Sequence, residues 1–425
     1  MSPITAVLPG PARRSMKVKN ANKVKFEGQI DPNTGKTAVY APLIAEIEAA
    51  SWPGPRRSSG SAMGAILAIG RASTTKRKFT QLENSQSFPC SAASAVGARN
   101  WSRILARYRN PSDCRAILEI VITALPLVAL WILMWATLDF GYWFALPLAF
   151  PAAGFLVRLF MIQHDCGHGS FFRHQAANDL IGRVIGVLTL TPYGFWRRTH
   201  AMHHAGSGNL DRRGFGDVDT LTVNEYRARS IWGRLRYRLY RHPLVMFGIG
   251  PAYLFILRHR LPIGLMRRGW QPWISTMATN FAIALIAATI TWTIGLKAFL
   301  LVHLPILLLA ASVGVWLFYV QHQFEHAVWK RGREWNLHET ALHGSSHYDL
   351  PVLLAWFTAN IGVHHVHHLC SRIPYYRLPS VLRDYPELRD IGRLTLVDSF
   401  RCVRLALWDE TQCRLVAFHE VSASD

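Results

Sequence analysis

Acidic residues are scarce: 26 Asp and Glu stand against 47 Lys and Arg, a formal net charge of +21 over 425 residues. Paired cysteines are missing as well. The six (Cys90, Cys114, Cys166, Cys370, Cys402 and Cys413) form no C-x-x-C pair, which argues against a disulfide framework or a zinc knuckle and fits a reducing compartment. No glycine fingerprint of a dinucleotide-binding fold is found, nor a haem or flavin motif, so a fused reductase is not expected. What the chain has in quantity is apolar sequence. Half its residues are hydrophobic, 15 are Trp, and the mean hydropathy is positive despite the basic residues. Those basic residues alternate with apolar blocks and form no single basic domain. Loops facing anionic lipid headgroups explain that better than nucleic-acid binding does.

Residues 1–95 differ from the rest. They are rich in Ser, Ala, Gly and Pro, and residues 1–100 hold 14 basic against 5 acidic residues. With no long apolar periodicity they read as a disordered extension. Ser61–Gly70 is apolar but short and internal, so it is not taken as a signal peptide. An organellar transit sequence has a similar composition, and Met63 offers an alternative start. Trp101–Tyr108 reads as a basic amphipathic stretch at a membrane surface.

Four segments reach the ~20 residues needed to cross a bilayer: residues 120–138, 142–163, 273–296 and 298–321. They form two hairpins, turning at Asp139–Gly141 and at Lys297. Arg158 is expected to snorkel from the end of its span. Leu180–Phe195, Pro243–Leu257 and Pro351–Gly362 are too short to cross and are expected to lie in the interface. Between Trp196 and Arg268 lie 14 Arg, whereas the hairpin turns offer only Lys297. The positive-inside rule therefore puts the central region and both termini in the cytoplasm. The expected fold is an all-α integral membrane bundle: a 97–390 unit with a cytosolic helical cap, then a 391–425 tail.

The 19 His are the anomaly, because they cluster. His164 and His168 follow the second span. His200, His203 and His204 open the Arg-rich region, and His364, His365, His367 and His368 come after the last span. Spacings of i, i+3 and i+4 put imidazoles on one helix face. With four spans all three clusters fall on one side of the membrane. Eight convergent imidazoles (His164, His168, His200, His203, His204, His364, His367 and His368) exceed the four ligands of one zinc and point to two metals. Imidazole suits Fe, Zn, Cu and Ni alike. Soluble di-iron bundles use Glu with Glu-x-x-His, a motif absent here, so a di-iron site would be of the all-histidine kind. His365 breaks the register and reads as a supporting residue, and Asp165 is placed to orient an imidazole or to serve a turn. His174, His303, His338, His343 and His347 are not read as ligands.

HDCGHGSFF (His164–Phe172), RTHAMHHAGSGNLD (Arg198–Asp211) and GVHHVHH (Gly362–His368) resemble the three histidine boxes of the membrane fatty acid desaturases. GDVDTLTVNEY (Gly216–Tyr226), QHQFEH (Gln321–His326) and GSSHYDLP (Gly344–Pro351) extend the likeness, which is greatest to the bacterial and plastid-type omega-6 (Δ12) branch and spans about residues 97–390. The resemblance implies two non-haem iron ions, O2 as oxidant and the eight boxed histidines as ligands. It also implies one more ligand from beyond the last span, for which His326 is chosen ahead of His322. The extra His365 departs from the pattern.

The expected reaction is insertion of a cis double bond into a membrane-lipid acyl chain, with electrons from a ferredoxin or cytochrome b5-like donor. A hydroxylase, epoxygenase or carotenoid-modifying oxygenase would use the same scaffold, since outcome depends on fine substrate placement. A metal transporter would place ionisable residues along its spans, and these spans hold only Arg158 and His303. The expected location is a bacterial inner membrane, or an organellar one if residues 1–95 are a transit sequence.

Overall fold

The computed structural model describes residues 95–422 apart from residue 215, so the expectations for residues 1–94 fall outside the described residues. In chain order the principal helices are α1 (Ala95–Leu105), α2 (Asp113–Thr137), α3 (Ala149–His168), α4 (Gln175–Leu188), α5 (Tyr193–Gly206) and α6 (Ile231–Tyr240). They continue with α7 (Trp270–Ile294), α8 (Leu296–His322), α9 (Leu337–His343), α10 (Val352–Phe357) and α11 (His364–Leu369).

Among the described residues, four helical segments are long and apolar enough to cross a membrane: Asp113–Phe140, Tyr142–His168, Trp270–Ile294 and Leu296–His322. At 25 to 28 residues each exceeds the span requirement. α2 starts where Ser112 caps it and Asp113 meets the positive end of the helix dipole. Phe281, Leu285 and Trp292 on α7 and Leu125, Val128 and Ile132 on α2 stay exposed, as side chains facing lipid must. α3 is the enclosed helix, packed against α2 and α8. The second reversal falls at Gly295, and Lys297 lies inside α8.

One expectation about the spans is overturned. Arg158 does not snorkel: it is 2% exposed and paired with Glu119 of α2. Because α2 begins at Asp113 and not near Ile120, a carboxylate enters the span opposite it. His303 stays within α8, stacked on Phe299 with ring centroids 5.2 Å apart.

The three shorter apolar segments are helical but outside the four spans. α4 exposes Leu180, Val184 and Leu188, and α10 exposes Val352, Leu353 and Leu354. Residues 243–257 wind partly as wide turns, with Leu244, Ile249 and Leu257 exposed. Such faces suit a segment lying along the bilayer surface.

Among the described residues, the cap adds five short strands to an otherwise helical fold. β1 (Leu221–Thr222) pairs in parallel with β4 (Leu405–Asp409), which pairs antiparallel with β5 (Arg414–Ala417). β2 (His347–Asp349) pairs in parallel with β3 (Arg393–Thr395). The stretch set apart as a tail is thereby built into the cap. Arg241 fastens it from the side, donating to Leu405 O at 2.7 Å, Gln323 Oε1 at 3.0 Å and the Tyr319 hydroxyl at 3.2 Å.

Candidate metal centre

The last turn of α3 carries the first box, and two glycines let it end there. Gly169 terminates the helix at φ +64°, a conformation L side chains rarely adopt. Gly167 lies so close to the Trp196 ring that a Cβ would sit 2.8 Å from it. Trp196 in turn stacks on His200, centroids 4.6 Å apart and planes 15° off parallel. Trp196 therefore packs α5 and the second box against the first.

Nine imidazoles converge into two groups. His164, His168, His200, His204 and His367 form one; His203, His322, His364 and His368 form the other. Within each group the ligand-capable nitrogens lie within 4.8 Å of one another. The boxes are shared between the groups by helical spacing. On α5 the i, i+4 pair His200 and His204 joins the first group and His203 the second. On α11 the i, i+4 pair His364 and His368 joins the second and His367 the first. His204 and His368 stack at 4.1 Å between centroids, so the groups are immediate neighbours.

The donor set fits metal. Nε2 of His200 lies 3.1 Å from Nε2 of both His168 and His204. His204 and His367 approach to 3.2 Å, and His322 and His364 to 3.0 Å. Two imidazoles bound to one ion at about 2.1 Å stand about 3 Å apart when they subtend a right angle. The Nε2 atoms of His203 and His368 are buried with no hydrogen-bond partner, a costly state unless a ligand meets them. Burial also pushes the His200, His204, His364, His367 and His368 imidazoles well below their ordinary range. They are thus held neutral, the form that binds metal.

Partners on the far side of the rings set their direction. The Asp217 carboxylate meets His203 Nδ1. Asp165 Oδ1 lies 3.1 Å from His164 Nδ1, while its Oδ2 accepts the Tyr375 backbone N–H at 2.7 Å. His322 Nδ1 faces Gly344 O at 3.4 Å. Carboxylates and carbonyls in this position fix imidazole orientation at metal sites. Asp165, which the sequence places either to orient an imidazole or to serve a turn, faces the His164 ring. Asp217 escaped notice, because a residue 14 positions after its histidine leaves no periodic signal.

Two sequence expectations meet the geometry differently. His326, the preferred extra ligand, is exposed on the turn after α8 and belongs to neither group, whereas His322 belongs to the second. The physical reason is that α8 runs on to His322 and stops, so the chain has turned outward four residues later. His365 points away from both groups, its Nε2 2.9 Å from Leu388 O, which fits a supporting residue. His174, His338, His343 and His347 also lie outside both groups.

Residues 141–395 match the fatty acid desaturase family. A fatty acid desaturase of Bacillus subtilis (strain 168) is 42% identical over 317 residues, covering 75% of this chain and 90% of that protein. In Synechocystis an sn-1 acyl-lipid omega-3 desaturase (ferredoxin) is 30% identical over 258 residues, covering 56% of this chain and 66% of its own. An sn-1 oleoyl-lipid 12-desaturase of the same organism is 28% identical over 239 residues, with 56% and 67% covered. A family match over more than half the chain, four apolar spans and histidine groups built from all three boxes lead to one conclusion: the chain belongs to the fatty acid desaturase family and is an oxidoreductase.

Proposed function

We propose that this desaturase introduces a cis double bond at the Δ12 or ω-6 position of a membrane-lipid acyl chain. In this reading each histidine group holds one non-haem iron. Both lie on the cytoplasmic face, in a catalytic unit of residues 97–390. The observation that carries the reading is the convergence of nine buried or half-buried imidazoles on two adjacent points at the end of α3 and α8.

When bound, iron supplies the chemistry no side chain here has, the O2-dependent removal of hydrogen from an unactivated methylene. The chain's own residues do the rest. His164, His168, His200, His204 and His367 would hold one ion, and His203, His322, His364 and His368 the other. Asp165 and Asp217 orient two of these rings. α4 and α10, with apolar faces exposed to lipid, bring the acyl chain from the bilayer to the α3 end. Overall, two vicinal C–H bonds are lost and a C=C bond forms. O2 takes up those two hydrogens with two electrons and two protons to give two waters. The electrons come from an external carrier of ferredoxin or cytochrome b5 type. Two relatives' names cite such donors, ferredoxin for the Synechocystis omega-3 enzyme and cytochrome b5 for an Arabidopsis thaliana omega-3 enzyme. Fourteen Arg between Trp196 and Arg268 favour a cytoplasmic cap, in a bacterial inner membrane.

The bond position rests on the box sequences and on the 12-desaturase relative. Expression in a host making only saturated and monounsaturated chains tests it, read by mass spectrometry of fatty acid methyl esters. A new diene at Δ12 or ω-6 is expected. Conversion of a supplied diene to a triene with no diene formed would assign the ω-3 position instead. Hydroxylated chains as the main product would replace desaturation by oxygenation on the same scaffold.

A further inference from the structure

An ion pair inside a membrane span is expensive and calls for an explanation. Glu119 of α2 and Arg158 of α3 are 1% and 2% exposed and form such a pair. Arg115, in the first turn of α2, donates from Nε to the other Glu119 oxygen at 2.8 Å. The pair reaches two further segments, both next to the third box. The Arg158 guanidinium donates to the Trp356 carbonyl at the end of α10 and lies 4.0 Å from the centre of the Trp356 ring. Glu119 Oε2 accepts the Tyr375 hydroxyl at 3.1 Å. Tyr375 is 1% exposed, and its backbone N–H is the donor, at 2.7 Å, to the Asp165 carboxylate behind His164. A chain of contacts thus runs from the α2–α3 ion pair to one imidazole, although Arg158 lies about 9 Å along α3 from His164.

We propose that Glu119 and Arg158 are positioning residues, which clasp Tyr375 and Trp356 onto α3 and thereby fix the Asp165 carboxylate that orients His164. The clasp meets the histidines through Asp165 and His164, on the five-histidine side. Asp217, which supports His203 of the four-histidine group, has no contact with it. The inference rests on the reading that each group holds an ion, and it assigns Glu119 and Arg158 a part in the metal site and none in transport.

Chelator titration of the iron-loaded, detergent-solubilised enzyme tests it, because two unlike sites release metal in two resolved steps. In Glu119→Gln and Tyr375→Phe the release midpoint of one step should move by roughly ten-fold, the low end of what loss of an outer partner brings at a metal site. The other step should stay where it is, and one of two iron subspectra should change by Mössbauer spectroscopy. Tyr375→Phe deletes a single hydroxyl and keeps the backbone donor, so it serves if Glu119→Gln accumulates poorly. Equal movement of both steps, as a general loosening of the fold would give, overturns the proposal. So does movement of neither. Wild-type enzyme that binds no iron, or releases all of it in one step, refutes the two-ion reading itself and the clasp with it.

Discussion

The two histidine groups share helices and boxes yet differ in enclosure. All four histidines of the second group are buried, whereas His168, His200 and His204 of the first are half-buried. They also differ in support. The second leans on Asp217 and on the Gly344 carbonyl, both within the cap. The first leans on Asp165, which the clasp ties to the membrane spans. One sequence device, an imidazole pair at i, i+4 plus a third at i+3, therefore builds a sealed site and an open one side by side. The difference teaches that openness here is set by what covers the rings and not by the ligands, since every donor is an imidazole.

The sharpest way to break the comparison is to remove one ligand from each side. His200→Ala and His203→Ala should each lower turnover by at least about 100-fold, beyond what loss of an outer partner costs, while both proteins still insert in the membrane. Activity per unit of membrane protein measures this, and near-normal turnover in either would take that group out of the reaction. Next come the supports. Asp217→Ala and Asp165→Ala should each weaken iron binding by about 10- to 100-fold, and in different release steps. A shared step would show that the groups are one site. A smaller contrast concerns access: under excess chelator the open group should empty several-fold faster than the sealed one, followed as loss of one iron subspectrum before the other. The least effect belongs to His326→Ala. An exposed side chain outside both groups should change stability by no more than about 0.5 kcal/mol, and activity should follow wild type.

These contrasts also mark how far the sequence could be read. Clusters at i, i+3 and i+4 survive translation into structure because helix periodicity is local, and span length is set by the bilayer. The boxed histidines and the four helices were legible for those reasons. Which histidine after the last span belongs with them was not, because the difference between His322 and His326 lies in where α8 ends. Arg158 misled in the same way: within its own helix it reads as a snorkelling residue, and only Glu119, 39 residues away, makes its burial tenable. The strands of the cap were equally hidden. β1 has two residues and finds its partner, β4, near the far end of the chain, and pairing over such distances leaves no local pattern.

The claim that the two groups are two metal sites is open to one direct measurement. Protein purified without a polyhistidine tag and without added metal should carry two irons per chain, with both lost when His203 and His200 are replaced together. One iron per chain with intact turnover, or full activity with zinc alone, would contradict it.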